Sequence, residues 1–148
     1  MKQDIFKVIR TLETFTNEAI IRWTKSFNKN IGLSPILTLS ELKKTGPQKS
    51  TVLAAKLGYT PGAITNISTK LVKENYVERI YNDEDRRNVL LKITPKGEAL
   101  LQEAIKKGEE LHIELFSVLS DEELNQLLSL YEKILQNLEE EEKQVDEN

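Results

Sequence analysis

The sequence predicts a mainly α-helical fold that contains one small β-hairpin. Two long segments, residues 5–28 and the segment that follows Ser120, carry apolar residues every three or four positions, which is the period of an amphipathic helix. Between them, two short runs rich in β-branched and aromatic residues flank a charged turn, as in a hairpin. The chain has 148 residues, of which 39% are hydrophobic, and this is enough for a single domain with its own core.

The first helix is predicted over residues 5–28 and ends before Asn30 and Gly32. Its apolar positions lie at Ile5, Val8, Ile9, Leu12, Phe15, Ala19, Ile20, Trp23 and Phe27. A terminal helix of this length usually packs on another element, often on another subunit. We therefore expect its apolar stripe to be covered.

Two shorter helices are predicted next. Ser34 and Pro35 have the residue types of an N-cap followed by proline at the first helical position, and this helix stops before Gly46. A second short helix covers residues 50–57 and ends at Gly58. The residues of this helix that are predicted to face inward are Val52, Leu53, Ala54 and Leu57.

A fourth helix is predicted from Thr60 and Pro61 to about Glu74. Threonine is a good N-cap, and proline is favoured at the first helical position. Its apolar face consists of Ile64, Ile67, Leu71 and Val72. Asn75 tolerates the left-handed backbone conformation and is predicted to end the helix.

The hairpin is predicted over residues 76–81 and 89–94, and its charged tip is long enough to project. Pro95 then opens a helix to about Leu119, and Ser120 with Glu123 forms a capping box for the last helix. The apolar residues of that last helix are Leu124, Leu127, Leu128, Tyr131, Ile134, Leu135 and Leu138. Beyond Glu139 the tail is too charged to pack, and we expect it to fray or to be disordered.

Charge is distributed unevenly along the chain. The net charge is -3, yet residues 49–97 contain nine Lys and Arg against five Asp and Glu, a net of +4. The last ten residues carry six acids and one lysine, a net of -5. A basic middle with acidic flanks is compatible with binding DNA through one face, although such local excess is also found in ordinary charged chains.

Composition excludes several classes of function. The chain has no cysteine, which rules out disulfides, thiolate metal sites and thiol redox sensing. It lacks the apolar stretch of a signal peptide and the run of about 18 apolar residues of a membrane span, so we expect a soluble cytoplasmic protein. With one histidine, no glycine-rich phosphate loop and no metal-spaced cluster, we expect no enzyme, no metal and no cofactor.

The order of helix, sharp turn, helix and hairpin is that of a winged helix-turn-helix domain. A helix that enters the major groove needs small residues near its N-terminus and hydrogen-bonding side chains on its exposed face. The candidate DNA-binding residues are Ser50, Pro61, Gly62, Ala63, Thr65, Asn66, Thr69, Lys70, Lys73, Arg86 and Arg87. Polar side chains also face outward on ordinary surface helices, so none of these residues indicates DNA by itself.

The hairpin tip, or wing, combines acidic and basic residues. An arginine on a flexible loop can enter the narrow, electronegative minor groove. We expect Asp85 to pair with a neighbouring arginine and to orient it. Taken alone, the same residues are also typical of a charged turn that is exposed to solvent.

Residues 53–97 resemble the centre of the MarR family of winged helix-turn-helix transcriptional regulators. The family pattern combines an LA-x-x-L helix, a V-x-R strand, a wing with aspartates and arginine, and an L-x-L-T-x-x-G strand end. The matching residues are Leu53, Ala54, Leu57, Leu71, Val77, Arg79, Asp83, Asp85, Arg87, Leu91, Ile93, Thr94 and Gly97. The chain departs from the pattern at Asn75, where glycine is frequent, and at Ile93, where leucine is common.

The resemblance extends to the long first helix and the last two helices. It implies a homodimer whose two recognition helices enter successive major grooves of a pseudo-palindromic double-stranded DNA operator. It also implies control of transcription, most often repression relieved by a small-molecule inducer. Residues 1–30 and 98–140 would be the dimerisation helices, residues 34–97 the winged helix-turn-helix, and residues 141–148 an acidic tail.

Alternatives remain at this stage. Zinc-binding relatives use clustered histidines, whereas this chain has only His112, for which we expect a surface or interface position. An inducer would bind between the dimerisation helices and the winged domain, where Trp23, Phe27 and Tyr59 either line a pocket or belong to the core. The alternative function is a winged-helix protein-interaction module without specific DNA binding.

Overall fold

The structure is a computed structural model that describes residues 1–27, 29–81, 84 and 87–146. Its elements, in chain order, are α1 (Lys2–Phe27), α2 (Leu33–Thr45), α3 (Ser50–Leu57), α4 (Pro61–Lys73), β1 (Val77–Tyr81), β2 (Val89–Ile93), α5 (Pro95–Phe116) and α6 (Asp121–Asp146). The prediction of a mainly α-helical fold with one small hairpin is confirmed. The chain divides into two compact units, one from Met1 to Leu111 and one from His112 onward.

The core of the first unit joins α1 to the helices and strands of the winged domain. Leu39 and Leu53 are fully buried at its centre. The rings of Trp23 and Phe27 stack with their centroids 5.0 Å apart. The indole Nε1–H of Trp23 donates to the carbonyl oxygen of Ala104 at 3.1 Å. The C-terminal end of α1 is therefore anchored by both packing and a buried hydrogen bond.

The turn between α3 and α4 forms as its residue types predict. Gly58 has a left-handed backbone, with φ of 69°, which glycine adopts without steric cost. The hydroxyl of Thr60 accepts a hydrogen bond from the backbone N–H of Ala63 at 3.1 Å, and Pro61 is the first helical residue. These local contacts fix where the helix-turn-helix begins its second helix.

The hairpin is antiparallel, and its register pairs Val77 with Ile93 and Tyr81 with Val89. A third segment joins it through an isolated bridge between Gln48 and Leu91. The two residues exchange backbone hydrogen bonds of 3.0 and 2.7 Å. The hairpin is thus connected to the segment between α2 and α3, a long-range pairing that the sequence pattern did not predict.

Several boundary or burial predictions are wrong. Helix α2 begins at Leu33 after an extended Gly32, so Ser34 lies inside the first turn, where its carbonyl accepts from the hydroxyl of Thr38. Val52 is exposed because only the neighbouring side chains of α3 face the core. Helix α5 ends at Phe116 rather than near Leu119, because the backbone N–H groups of Ser117 and Leu119 donate to carbonyls three residues back, at 3.3 and 3.1 Å, instead of four.

Helix α6 is capped as predicted but is longer than expected. The backbone N–H of Ser120 donates to Glu123 Oε1 at 3.0 Å, and that of Glu123 donates to the Ser120 hydroxyl at 3.2 Å. The prediction that the chain frays beyond Glu139 is wrong, since the helix continues to Asp146. Glutamate is a good helix former and needs no burial to extend a helix. Within the chain, none of the described side chains of α6 is buried.

The helices differ from membrane-spanning segments. Over residues 1–27, 29–81, 84 and 87–146, no helix combines the length and the apolarity that a membrane crossing requires.

Candidate nucleic-acid interface

Helix α4 presents a continuous polar face to solvent. Gly62, Asn66, Thr69 and Lys73 follow one another at helical spacing and are all exposed. The remaining candidate residues of this helix flank the stripe; Pro61, Thr65 and Lys70 are exposed and Ala63 is half-buried. The structure therefore brings together the α4 residues that the sequence nominates.

The opposite face of α4 holds the helix in the domain. Ile64 and Leu71 are buried, and α4 packs against α2, α3 and β1. Ser68 is also buried, and its hydroxyl donates to the carbonyl oxygen of Ile64 at 2.6 Å. The burial of Ser68 was not predicted, because its polar type masks a helical spacing that matches Ile64 and Leu71.

The start of α4 leaves open space beside its backbone. A Cβ atom added to Gly62 would meet no atom within 4 Å. The helix therefore does not need glycine at this position for packing. A bare backbone at the beginning of an exposed helix is a surface that an external group can approach closely.

The polar side chains of α4 differ in how they are engaged. The hydroxyl of Thr65 donates to the carbonyl oxygen of Pro61 at 2.8 Å, which leaves its lone pairs as hydrogen-bond acceptors. Asn66 projects from the next position with an amide that offers both donors and an acceptor. Lys70 and Lys73 lie in the last turn, where a cation also interacts favourably with the helix dipole.

The remaining candidate residues lie outside α4. Ser50 is half-buried and is the first residue of α3, where the helix has backbone N–H groups without intrahelical partners. Arg87 lies near the hairpin tip, two positions before β2. Arg86 and Asp85 lie outside the described residues, so the predicted orientation of an arginine by Asp85 stays a prediction.

The structure also shows where the residues considered for an inducer pocket and for a metal site lie. Trp23 and Phe27 belong to the core, and Tyr59 is half-buried and packs against it. His112 is exposed on α5, with its ring 6.5 Å from that of Phe116. Among the residues that the structure describes, no group of three or more His, Asp or Glu side chains could hold a metal ion.

Comparison with known proteins identifies relatives of this arrangement. The model of the MarR family matches residues 33–89, which run from the start of α2 to the start of β2. The chain is 30% identical over 128 residues to the uncharacterised HTH-type transcriptional regulator YpoP of Bacillus subtilis, covering 86% of each chain. It is 30% identical to the HTH-type transcriptional repressor MdtR of the same organism, over 76% of this chain and 74% of that protein.

One of the solved structures that are similar to this chain contains DNA. A mutant of Escherichia coli MarR complexed with operator DNA superposes with a TM-score of 0.66 and 25% identity, over 87% of this chain and 91% of that one. The match covers most of both chains and so includes more than the helix-turn-helix alone.

Proposed function

Because this chain belongs to the MarR family of DNA-binding transcriptional regulators, we propose that it is a homodimeric repressor of a pseudo-palindromic operator. In this proposal α4 enters the major groove, and a small-molecule inducer releases the protein from the DNA. A relative 30% identical to this chain carries the name of a repressor, which supports repression over activation.

The observation that carries the proposal is the exposed polar face of α4. Its residues are exposed, and the space beside Gly62 is empty. We assign base contacts to Thr65, Asn66 and Thr69, because amides and hydroxyls can read base edges. We assign phosphate contacts to Lys70 and Lys73, and close backbone approach to Pro61, Gly62 and Ala63.

Contacts outside α4 complete the proposed interface. We assign a phosphate contact to Ser50, the first residue of α3, because helix N-termini favour anions. We assign Arg86 and Arg87 to the minor groove, which attracts arginine where it is narrow. Asp85 would orient one of these arginines.

The homodimer is supported by the first helix. The apolar stripe of α1 continues from the buried Trp23 and Phe27 to an N-terminal half that is exposed within the chain. The exposed members of this stripe are Ile5, Val8, Ile9, Leu12 and Phe15. Exposed apolar area of this extent usually marks an interface, and a second copy of the chain is the occupant that a two-fold operator requires.

Helix α6 has a comparable exposed stripe of its own. Its members include Leu128, Tyr131, Ile134, Leu135 and Leu138. On this basis we propose residues 1–30 and 98–140 as dimerisation helices, residues 34–97 as the DNA-binding part and residues 141–148 as an acidic end.

A binding assay tests the proposal directly. Fluorescence anisotropy would compare DNA from upstream of the protein's own gene with random DNA of equal length, and light scattering would give the mass of the free protein and of the complex. We expect one dimer per operator and tighter binding to the upstream DNA. Equal binding to the two DNAs, or none, would favour the alternative, an interaction module without specific DNA binding.

A further inference from the structure

The turn after α4 is held by the segment that opens α5. The carbonyl oxygens of Glu74, Asn75 and Tyr76 follow one another at the end of α4. The Lys96 ammonium donates to the first at 2.9 Å. The Thr94 hydroxyl donates to the second at 2.6 Å, and the Thr94 backbone N–H donates to the third at 3.1 Å. Three consecutive acceptors are therefore satisfied by two residues from another part of the chain.

Thr94 also caps the helix that it precedes. Its hydroxyl oxygen accepts from the backbone N–H of Gly97 at 3.1 Å, and its carbonyl oxygen accepts from that of Glu98 at 2.9 Å. A single hydroxyl thus links the N-terminus of α5 to the turn at the C-terminus of α4. It satisfies a backbone N–H in the first turn of α5 and a backbone carbonyl in the turn that follows α4.

Gly97 brings the two segments into direct contact. A Cβ atom at this position would overlap the carbonyl oxygen of Tyr76 and would lie 2.9 Å from Cγ1 of Ile93. Only a glycine leaves room for this approach. The Lys96 ammonium lies 4.9 Å from the centre of the Tyr76 ring, which adds a cation–π contact to the same junction.

We propose that Thr94, Lys96 and Gly97 form a clamp that positions α4 for sequence-specific DNA recognition. The inference rests on the proposed function, in which α4 reads bases. A helix of 13 residues is about 20 Å long, so a tilt of about 5° at its clamped end moves its N-terminus by about 1.7 Å. This displacement exceeds the range in which a hydrogen bond to a base edge keeps its geometry.

The clamp should affect specific binding more than general affinity. Base contacts are short and directional, whereas the attraction of lysines to phosphates is electrostatic and tolerates small shifts. A substitution that only destabilised the fold would reduce the active fraction and would weaken binding to all DNA by one factor. The ratio of cognate to random affinity therefore separates positioning from stability.

The test compares matched threonine substitutions in the full-length protein. Thr94→Val removes the hydroxyl but keeps the shape, and Thr94→Ser restores the hydroxyl. Thr38→Val is the control, because the buried Thr38 hydroxyl donates to the Ser34 carbonyl within α2. We expect Thr94→Val to lower cognate affinity about tenfold, as for the removal of one base contact, with random affinity changed less than about twofold. Thr94→Ser should recover most of the affinity, and Thr38→Val should leave the ratio unchanged.

A second variant and a measurement made without DNA keep the proposal testable if the first variant does not fold. If Thr94→Val does not fold, Lys96→Met removes the donor to Glu74 from an exposed side chain and should lower the same ratio. Hydrogen exchange at the backbone amide of position 94, which donates to the Tyr76 carbonyl within the clamp, should become faster in either variant. An unchanged affinity ratio in a folded variant, or unchanged exchange, would overturn the clamp. If the wild-type protein binds the two DNAs equally, the proposed function fails. Hydrogen exchange alone then tests whether the clamp contacts hold the turn after α4.

Discussion

Gly62 and Gly97 both lie in the first turn of a helix, and neither has a positive φ. At Gly97 the neighbouring backbone leaves no room for a Cβ atom, so the fold itself requires glycine. At Gly62 the space is open, and alanine would be the better helix former. In the described structure, packing does not require glycine at position 62, and the proposed DNA contact gives a reason for it.

This contrast predicts opposite effects on stability and binding. Gly62→Ala should leave the free energy of unfolding unchanged or raise it by up to about 1 kcal/mol, because alanine loses less backbone entropy in a helix. It should weaken DNA binding, because the new methyl group occupies the approach to the backbone. Thermal unfolding and anisotropy would measure the two effects. Gly32→Ala, at another open glycine before α2, is the control, and equal DNA affinity of both variants would refute the role of Gly62.

The side chains of α4 should divide into those that contact bases and those that contact phosphates. Asn66→Ala should cost about 1–3 kcal/mol on the cognate site and much less on random DNA, because base contacts carry the sequence preference. Lys70→Ala should weaken both about equally and lower the salt slope by about 1 for each phosphate that the variant no longer neutralises. Binding to both DNAs over a salt series would measure this. If Lys70→Ala changed base preference and Asn66→Ala did not, the assumed orientation of α4 on DNA would be wrong.

At the scale of elements, the sequence predicted best what neighbouring residues determine. The caps at Thr60 and Ser120 and the left-handed Asn75, with φ of 61°, depend on local hydrogen bonds and backbone preference. The bridge between Gln48 and Leu91 depends on tertiary packing, and no local pattern indicates it. Ser34 shows the limit of local rules, because a suitable cap residue is used only when the preceding chain is not already helical.

The candidate site also combines features that the local sequence predicts with features that depend on tertiary packing. Its exposed face on α4 follows from helical periodicity, which predicted all of its residues except Ala63, which is half-buried. The clamp could not be derived in this way, because it joins Thr94 to Asn75 across 19 positions. The resemblance matched Thr94 and Gly97 to a family pattern, but it gave no physical role to either residue. The structure supplies that role as hydrogen bonds and close contact.

The capping box of α6 makes helix stability depend on pH. Hydrogen bonds from the backbone and then the side chain of Ser120 lower the pKa of Glu123 from its ordinary value of 4.5. Because the pKa is lower in the folded state, the stabilisation is present above pH 4.5 and is lost as the pH falls through the folded pKa. Circular dichroism during acid titration should show a smaller loss of helix in Glu123→Gln than in the wild-type protein. Identical titrations would contradict a contribution from this carboxylate.

The wing should contribute affinity without contributing to the fold. Arg87→Ala should weaken DNA binding strongly, and Arg86→Ala less, because the resemblance matches Arg87 to the arginine of the family's wing. Anisotropy and circular dichroism would measure affinity and folding. Arg22→Ala on α1, where the side chain pairs with Glu18 at 3.9 Å, controls for the removal of one positive charge. Unchanged affinity in a folded Arg87→Ala protein would remove the wing from the interface.

For the whole molecule, the excess of positive charge and the exposed apolar stripes lie in different regions of the sequence. Residues 49–97 carry a net charge of +4, and the last ten residues carry -5. The basic segment includes α4 and the hairpin, whereas the exposed apolar stripes lie on α1 and α6. A chain with this division can use one surface for a polyanion and others for association with a second copy.

The exposed half of the α1 stripe gives the sharpest test of the dimer. Leu12→Glu places a charge where a partner would bury an apolar side chain, so it should yield monomers or reduce folding. It should also weaken operator binding, because a dimer contacts two half-sites. The matched control is Leu37→Glu on α2, since Leu37 is 43% exposed and Leu12 is 42% exposed. Light scattering would give the mass of each variant. A folded dimer of Leu12→Glu with wild-type affinity would exclude this face of α1 from the interface, whereas dissociation in both variants would show that the charge acts without regard to position.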